Sequence, residues 1–456
     1  MADYASVLDK QRTFFNSGAT LDVEFRIRAL RDLKAAIEQN EEKILSALHS
    51  DLGKCAAEAY ATEIGLVYSE IGDALKHIRR WSRPRRALTP AMHFLSWSRI
   101  VPEPHGIALI MSPWNYPFQL TLVPLVSALA AGNCAVVKPS AYSPATSAVI
   151  AGILRQCFSE CCVAVFEGGR KANEALLRQR FDIIFFTGSP AVGRYVMECA
   201  SKNLTPVTLE LGGKSPCIVC ADANIPLAAK RIAWGKTVNA GQTCVAPDYV
   251  LAHKSVAEPL AREIGACIEG FFGKAPCACA EYPRIVNEKH FERVSALIFS
   301  GRVVSGGRAD RETLRIEPTV LMDVAPDSPV MQEEIFGPVL PVLTYENLDE
   351  AISFIRSRPK PLALYLFTAN KETERRIMGS VAFGGGCVND TLVHTATSHI
   401  PFGGVGESGM GGYHGKWGFD TFTHYKSVLR KSTRLDMAMR YPPYGEKLKL
   451  FRRVMK

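Results

Sequence analysis

Apolar residues recur at two different spacings along this chain, and the spacing changes near residue 106. Between Leu21 and Trp81, apolar side chains lie three or four positions apart with charged residues between them, as in amphipathic helices. After Gly106, short apolar runs alternate with longer helix-like stretches. This alternation is typical of βαβ units with parallel strands, so we predict an α/β protein with a doubly wound sheet.

The short apolar runs form two series, one before and one after Glu210. They cover residues 107–111, 135–137, 163–166 and 183–186, and then 217–220, 249–252, 320–322, 364–367 and 386–389. We therefore predict two α/β domains, each with its own sheet. Residues 82–101 fit neither pattern, because prolines and arginines precede an apolar stretch there. They predict a projecting hairpin rather than core.

Composition narrows the class of protein. A chain of 456 residues exceeds the usual size of one domain, and 47% hydrophobic with 22% charged residues is typical of a globular protein. The net charge of +9 is mild, and basic residues do not alternate with aromatic ones, so nucleic-acid binding is not indicated. Residues 440–456 carry a net charge of +5. A solvated arm is the simpler interpretation, and contact with anionic lipid is the alternative.

Residues 106–137 contain no charged side chain, which by length could suggest a membrane span. Prolines and asparagines interrupt this segment, and lipid would leave its backbone groups unsatisfied, so we expect a buried core instead. The N-terminus lacks the basic and apolar regions of a secretory leader. We therefore expect a cytoplasmic protein whose thirteen cysteines are reduced. Cys217 and Cys220 should lie on opposite faces of a strand, so no metal site is expected.

Cys244 and Glu210 are candidates for nucleophilic chemistry. Cys244 ends Gly241-Gln242-Thr243-Cys244, a loop after a helical stretch for which Gly241 is a plausible end. Glu210 lies on a strand, opposite its apolar neighbours and next to Gly212 and Gly213. Burial would raise its proton affinity, as suits a general base. The alternatives are a packing cysteine and a salt-bridged core glutamate.

Asn115 is a candidate for oxyanion stabilisation. Its amide is a neutral donor in the proline-stiffened loop Ser112-Pro113-Trp114-Asn115-Tyr116-Pro117. A turn-capping asparagine is the alternative interpretation. It would have to lie near Cys244 in space to serve this role.

Two further segments indicate nucleotide binding. After an apolar run, Thr187-Gly188-Ser189-Pro190 places a serine at a helix N-cap and a proline at the first helical position. The N-terminus of such a helix can bind phosphate. Lys138 follows another strand, at the sheet edge where ligands of open α/β sheets bind.

Seven ordered motifs resemble the aldehyde dehydrogenase superfamily over nearly the whole chain. They are Pro113-Trp114-Asn115, Lys138-Pro139-Ser140, Phe186-Thr187-Gly188-Ser189, Leu209-Glu210-Leu211-Gly212-Gly213, Gly241-Gln242-Thr243-Cys244, Glu333-Glu334-Ile335-Phe336-Gly337-Pro338 and Pro401-Phe402-Gly403-Gly404. Val388-Asn389-Asp390, with Ser408-Gly409-Met410-Gly411 and Tyr413-His414-Gly415-Lys416, is similar to the dimeric class 3 and fatty aldehyde group.

The resemblance implies a role for each matching residue. Cys244 is the expected nucleophile, Glu210 the base, and Asn115 the oxyanion donor, together with the backbone N–H of Cys244. Residues expected to contact the dinucleotide are Trp114, Lys138, Ser140, Gly188, Ser189, Gly193, Leu211, Gly212, Glu334 and Phe336. Residues expected to line the substrate tunnel are Tyr116, Trp234, Thr243, Ile400 and His414.

The resemblance also implies an architecture and a partner. Residues 1–81 and 102–210 would form a Rossmann-like dinucleotide-binding domain, and residues 211–411 a catalytic domain. Residues 82–101 and 412–456 would form a β-arm and bridging segments for oligomerisation, so a homodimer is expected. The apolar C-terminal anchor of many fatty aldehyde relatives is not present in residues 451–456.

One departure from the family pattern concerns the cofactor. The family usually has a glutamate after Lys-Pro-Ser, and Ala141 stands there in this chain. The missing carboxylate would bind the ribose hydroxyls of NAD and repel the 2′-phosphate of NADP. Either cofactor is therefore expected.

The implied reaction is the oxidation of a medium-chain, long-chain or aromatic aldehyde to a carboxylic acid through a thiohemiacetal and a thioester. One alternative is an acylating enzyme that transfers the thioester to coenzyme A. Another is a cysteine hydrolase without redox chemistry, in which Cys244 works with a histidine such as His414. A binding protein on an inactive scaffold is the third alternative.

Overall fold

The computed structural model describes residues 3–455. Met1, Ala2 and Lys456, at the outer ends of the predicted ranges 1–81 and 412–456, lie outside the described residues. The helical pattern predicted before residue 81 is confirmed as a series of separate helices. The α-helices are α1 (Tyr4–Asn16), α2 (Val23–Gln39), α3 (Glu41–Leu52), α4 (Ala56–Ala59), α5 (Gly65–Trp81), α6 (Gln119–Ala131), α7 (Pro144–Cys157), α8 (Arg170–Leu177), α9 (Pro190–Ser201), α10 (Ile225–Thr237), α11 (Ala257–Phe272), α12 (Glu288–Ala296), α13 (Pro329–Gln332), α14 (Leu348–Arg356), α15 (Lys371–Ser380), α16 (Gly415–Thr421) and α17 (Lys447–Val454).

All nine apolar runs form strands, as the sequence predicts. The strands are β1 (Arg85–Ala87), β2 (Ser96–Pro104), β3 (Ile107–Met111), β4 (Cys134–Lys138), β5 (Val163–Val165), β6 (Ile183–Gly188), β7 (Val207–Leu211), β8 (Pro216–Val219), β9 (Tyr249–His253), β10 (Arg302–Ser305), β11 (Ala309–Asp310), β12 (Arg315–Ile316), β13 (Thr319–Met322), β14 (Val339–Tyr345), β15 (Ala363–Phe367), β16 (Gly385–Val388), β17 (Gly409–Met410) and β18 (Thr423–Lys431).

Two large sheets confirm the α/β fold class. The first has the order β17-β7-β6-β3-β4-β5, in which all neighbours are parallel except β17 with β7. The second has the order β10-β13-β14-β9-β8-β15-β16, parallel except for β10 with β13. Parallel strands end at the same edge of a sheet, so each sheet collects the loops after its strands at one edge.

The uncharged segment 106–137 lies in the core next to the first sheet. It forms β3, α6 and β4, and every residue of α6 is buried. Such a helix has no polar face because protein surrounds it on all sides. Within residues 3–455, no helix has both the length and the apolar character needed to cross a bilayer.

Residues 82–101 form part of a separate three-stranded sheet. The strand β2 pairs on one side with β1 and on the other with β18, from Thr423 opposite Pro104 to Lys431 opposite Ser96. This confirms the predicted strands in both segments. Trp97 on this sheet is 52% exposed.

The thirteen cysteines are free thiols. Cys217 packs into the core that contains α10 and α11, whereas Cys220 packs on the other side of the second sheet. The predicted opposite orientation of these two thiols is therefore confirmed.

Candidate active site

The Cys244 loop begins where α10 ends, and it turns through an unusual backbone. The helix ends at Thr237, four residues before the predicted Gly241, and a 3₁₀ turn covers Val238–Gly241. Asn239 and Ala240 have φ of 53° and 51°, in the left-handed region that L-residues rarely adopt. At Gly241 a side chain is excluded, because a Cβ would lie 2.4 Å from the carbonyl oxygen of Gly337. The chain therefore leaves α10 through a left-handed turn that packs closely at Gly241.

Buried amide side chains hold this backbone. Gln242 donates from Nε2 to the carbonyl oxygens of Asn239 and Arg284, both at 3.0 Å, and accepts from the backbone N–H of Val286 at 3.0 Å. Asn239 donates from Nδ2 to the carbonyl oxygens of Asn115, at 2.8 Å, and Gln242, at 3.1 Å. These bonds satisfy the strained turn and offset its cost of about 1–3 kcal/mol per residue.

Cys244 lies at the end of this loop with its thiol next to Glu210. The residue is partly accessible, and its own backbone N–H faces Sγ. Burial raises the pKa of the thiol well above its ordinary value, and the carboxylates of Glu210 and Glu334 raise it further. The thiol is therefore neutral in the free protein at pH 7 and needs a base to become a nucleophile.

Glu210 faces the same side of the first sheet as Cys244. Its neighbours Leu209 and Leu211 pack against α9, so alternation along β7 turns Glu210 to the opposite side, as predicted. The residue is 2% exposed, and burial raises its pKa to about 7, although the Cys244 thiol and the Thr187 hydroxyl act in the opposite direction. Neither group forms a hydrogen bond of normal geometry with it. Among the described residues, both carboxylate oxygens are without a partner.

Asn115 is fixed beside the Cys244 loop. It is 2% exposed and donates from Nδ2 to the carbonyl oxygen of Gln242 at 3.0 Å. A side-chain amide carries two N–H donors, so a second one is available for a ligand. The carbonyl oxygen of Asn115 accepts from Nζ of Lys54 at 3.1 Å. Asn115, Glu210 and the Cys244 loop thus meet in one buried region.

Lys54 and Glu63 lie next to this region and stabilise it, and neither residue was predicted from the sequence. They form a fully buried ion pair with Nζ 2.6 Å from Oε1. Glu63 also accepts from the backbone N–H groups of Phe118 and Gln119 at 2.8 and 3.2 Å. The ammonium group lies 4.1 Å from the centre of the Tyr116 ring. Lys54 lies in the connection between α3 and α4, and Glu63 lies nine positions later in a helical turn, so no periodic pattern indicates this pairing.

A second group of predicted residues lies at the carboxyl edge of the first sheet. Lys138 ends β4 and is 3% exposed, and burial lowers the pKa of its ammonium group to about 8. Ser189 caps α9, accepting from the N–H of Val192 at 3.5 Å, with Pro190 at the first position, which confirms the predicted cap. At Gly193 a Cβ would lie 2.6 Å from a methyl carbon of Leu211. Helix and strand therefore pack closely beneath this N-terminus.

Glu334 and Phe336 approach the same edge from the loop between α13 and β14. A Cβ at Gly212 would lie 1.9 Å from Oε2 of Glu334, so only glycine permits this approach. Oε1 of Glu334 is buried without a partner among the described residues, and burial raises the pKa of this carboxyl group well above its ordinary value. Phe336 has φ of 48°, and its ring lies 5.3 Å from that of Trp114.

Ser140 lies in the turn after Lys138, where its hydroxyl accepts from the N–H of Tyr142 at 3.2 Å. Gly188 ends β6, and a Cβ there would lie 2.6 Å from the Phe186 ring. Lys138, the N-terminus of α9 and the unpartnered Oε1 of Glu334 therefore lie at the carboxyl edge of the first sheet. These are donors and acceptors for ribose and pyrophosphate, so the residues present fit a dinucleotide.

The residues predicted to line the substrate tunnel differ in their exposure to solvent. The hydroxyls of Tyr116 and Thr243 are 2.6 Å apart and both side chains are buried. Trp234 is 41% exposed and Ile400 is 46% exposed. His414 is 5% exposed, with Nδ1 3.5 Å from Oε2 of Glu70.

The geometry can be compared with known proteins. The family model for the Aldehyde dehydrogenase family matches residues 1–428 of this chain. This chain belongs to that family. It is 48% identical over 447 residues to the 4,4'-diaponeurosporen-aldehyde dehydrogenase of Staphylococcus aureus, covering 98% of this chain and 97% of the relative. It is 46% identical over 457 residues to aldehyde dehydrogenase family 3 member H1 of Arabidopsis thaliana, covering 99% and 94%.

Solved structures agree with this assignment. The substrate-bound state of Staphylococcus aureus AldH has a TM-score of 0.98 at 47% identity and covers 100% of both chains. An indole-3-acetaldehyde dehydrogenase in complex with NAD⁺ has a TM-score of 0.85 at 28% identity, covering 93% of this chain and 88% of that one. The protein is an aldehyde dehydrogenase. Nothing found favours the coenzyme A-acylating or hydrolase alternatives.

Proposed function

We propose that Cys244, Glu210 and Asn115 oxidise the aldehyde to its carboxylic acid through a covalent thioester. The observation that carries this proposal is the buried region in which the Cys244 thiol faces the unpartnered Glu210 carboxylate beside the Asn115 amide. A nucleophile, a base and a neutral donor are the three groups that the chemistry needs.

In the first step, Glu210 takes the proton of Cys244 and the sulfur attacks the aldehyde carbon. A pKa of about 7 lets Glu210 accept this proton near neutral pH and release it to solvent before the second half of the reaction. The C–S bond forms as the C=O π electrons move to oxygen. The second N–H of Asn115 and the backbone N–H of Cys244 donate to this oxyanion.

The oxyanion then reforms its double bond, and a hydride leaves the carbon to give the thioester. Bound NAD or NADP supplies the acceptor for this hydride. In the second half, Glu210 takes a proton from water as the water oxygen attacks the thioester carbon. The C–S bond breaks, the acid leaves and the Cys244 thiol is restored.

Lys138, Ser140 and the N-terminus of α9 at Ser189 would hold the ribose and pyrophosphate of the dinucleotide. Trp114, Gly188, Gly193, Leu211 and Gly212 would shape that cleft, and Glu334 and Phe336 would hold the nicotinamide ribose. Ala141 provides no carboxylate against a 2′-phosphate, which supports the use of both cofactors.

The substrate class is an apolar aldehyde, of medium or long chain or with an aromatic ring. Aromatic side chains support this assignment, because Tyr116 lies next to the Cys244 loop and Trp234 is partly exposed. Thr243, Ile400 and His414 are the other proposed lining residues. The relative from Staphylococcus aureus is named for 4,4'-diaponeurosporen-aldehyde.

We further propose a homodimer joined through residues 82–101 and 412–456, in a cytoplasmic protein. The three-stranded sheet and the exposed Trp97 support the dimer, since an exposed sheet edge favours pairing with another chain. The free thiols support a reducing compartment. The domain boundaries after residues 210 and 411 remain part of this proposal.

A Glu210→Gln variant tests the proposed roles. With hexanal and NAD, we expect a burst of one reduced cofactor per active site that forms more slowly than in the unmodified protein, because Cys244 has lost its base. A steady rate lower by about a hundredfold should follow, because no base activates water. Adding coenzyme A should not restore turnover. An unchanged steady rate would contradict the role of Glu210, and rescue by coenzyme A would favour the acylating alternative.

A further inference from the structure

Two more polar groups near Glu210 are buried and unpaired. Thr187 is the register partner of Glu210 across β6 and β7, so both side chains lie on the same face of the sheet. Its Oγ1 and the phenol oxygen of Tyr413 are each without a hydrogen-bond partner among the described residues. Tyr413 is 1% exposed and Thr187 is 5% exposed.

The Tyr413 ring lies over this same face. It packs edge-on against Phe185, with ring centres 5.0 Å apart. Because side chains alternate along β6, Phe185 lies on the same face of the sheet as Thr187. The backbone of Tyr413 is held by two hydrogen bonds with Phe402, at 2.9 and 3.1 Å. Burial raises the pKa of the phenol most, and the nearby Glu210 and Cys244 raise it further.

The Tyr413 ring is also fixed by His414. It stacks on the His414 ring with centres 4.4 Å apart and planes 18° apart. These contacts hold the ring in place, and the titratable groups that act on its phenol, after burial, are Glu210, Cys244 and, least, Glu70. A rigid ring with an unpaired hydroxyl is suited to positioning a small polar molecule.

An unpaired buried hydroxyl destabilises a fold, and phenylalanine would fill the same space without that cost. The Glu210 carboxylate, the Thr187 hydroxyl and the Tyr413 hydroxyl occur together beside the nucleophile. We propose that Tyr413, assisted by Thr187, positions the water molecule that hydrolyses the Cys244 thioester. This inference rests on the proposed function of Glu210 as the base.

The step needs no further reactant. Water has two protons to donate and two lone pairs, so the phenol can donate to its oxygen while Glu210 takes one proton. The water oxygen forms a bond to the thioester carbon, and the C–S bond breaks. The thiolate leaving group is protonated by Glu210, and the second water proton stays on the acid. Tyr413 keeps its own proton throughout.

A Tyr413→Phe variant tests this proposal with p-nitrophenyl acetate and no cofactor. Cys244 attack releases one equivalent of p-nitrophenolate as a burst, and later turnover is limited by hydrolysis of the acetyl enzyme. We expect an unchanged burst, a steady rate lower by about tenfold, and equal or greater resistance to urea. Hexanal with NAD should give the same division between burst and steady rate.

The matched control is Tyr282→Phe, because the Tyr282 hydroxyl is equally buried but donates to the carbonyl oxygen of Ile316 at 2.8 Å. That variant should lose stability and keep its steady rate. Thr187→Val, a second variant that removes a hydroxyl, should slow the steady rate by a smaller factor.

The outcomes separate this inference from the proposed function. A steady rate of Tyr413→Phe that falls less than about threefold, or a loss of the burst itself, would overturn the role of Tyr413. If Glu210→Gln stalls after its burst while Tyr413→Phe and Thr187→Val turn over normally, only this inference fails. If Glu210→Gln also turns over normally, the proposed function fails with it.

Discussion

Glu63 and Glu210 are both buried glutamates near the Cys244 loop, yet their surroundings differ. Burial raises the pKa of both carboxyl groups. Glu63 is paired with Lys54 and accepts from two backbone N–H groups. Both oxygens of Glu210 are without a partner among the described residues. The first arrangement stabilises a charge, and the second leaves a carboxylate free to exchange protons.

The comparison shows how a structural charge differs from a chemical one. Almost all buried polar groups in proteins form hydrogen bonds, so the unpaired ones require a reason. Around Lys54 and Glu63, the bonds fix the carbonyl oxygen of Asn115 and the start of α6. Around Glu210, the unpaired groups face the nucleophile. The stable region positions the donor, and the unsatisfied region performs the chemistry.

The largest effect is expected for Cys244→Ala. Without the thiol no thioester forms, so aldehyde oxidation should fall by at least about 10⁴-fold. Binding of NAD, measured by calorimetry, should persist. Cys161→Ser is the control, since Cys161 lies on the distant α7–β5 turn, and it should keep full activity. Residual oxidation above a tenth of the original rate would exclude Cys244 as the nucleophile.

Lys54→Met should destabilise the fold, although Lys54 takes no part in the chemical steps. It leaves the Glu63 charge buried without its counter-ion, at a cost of about 3–5 kcal/mol. Urea unfolding measures this loss. Lys34→Met, at an exposed pair with Glu38, should cost less than about 1 kcal/mol. Equal losses in the two variants would show that the buried pair has no structural role.

The Glu210 carboxyl group should make stability depend on pH. Its pKa is about 7 in the fold and 4.5 without the fold, so the folded state binds more protons between these pH values. The free energy of unfolding therefore falls as pH rises through this window, by up to about 3 kcal/mol. The free energy of unfolding of Glu210→Gln does not fall in this way. It should therefore rise relative to that of the unmodified protein between pH 5 and pH 8. A constant difference in urea midpoints would contradict the raised pKa.

The steady rate should follow the same ionisation. Below a pH of about 7, Glu210 is protonated and cannot take a proton from water, so turnover should fall about tenfold per pH unit. The residual rate of Glu210→Gln should lack this limb of the profile. Steady-state assays with hexanal from pH 5.5 to 8.5 provide the measurement. A limb that persists in the variant would assign it to another group.

The smallest effect concerns the choice of cofactor. Ala141→Glu restores the carboxylate usual in the family, and it should weaken binding of NADP relative to NAD by about tenfold. Calorimetry with 2′,5′-ADP and 5′-AMP measures this without turnover. Ala141→Gln is the uncharged control and should leave the ratio near its original value. An unchanged ratio in Ala141→Glu would place the 2′-phosphate elsewhere.

Much of the site could be predicted because it lies within short sequence motifs. Alternation along β7 gave the orientation of Glu210, and Ser189 with Pro190 gave the start of α9. The nine apolar runs matched the strands because buried parallel strands are apolar throughout. These features depend on neighbours in the sequence.

The supporting residues could not be predicted, because they depend on contacts between distant segments. Lys54 reaches Asn115 across 61 positions, and Tyr413 lies over strands two hundred positions earlier in the chain. The left-handed backbone at Asn239 and Ala240 leads into Gly241, which packs against Gly337 from a distant segment. No periodic pattern in the sequence contains this information.

The most direct test measures Glu63→Gln and Glu210→Gln side by side, each by urea unfolding and by burst kinetics with hexanal and NAD. At pH 8 we expect Glu63→Gln to lose about 3 kcal/mol of stability, and Glu210→Gln to keep or gain stability. Only Glu210→Gln should give a slowed burst of full amplitude followed by a stalled steady rate. A Glu210→Gln variant that loses stability and turns over normally would contradict the account, because Glu210 would then be a structural carboxylate like Glu63.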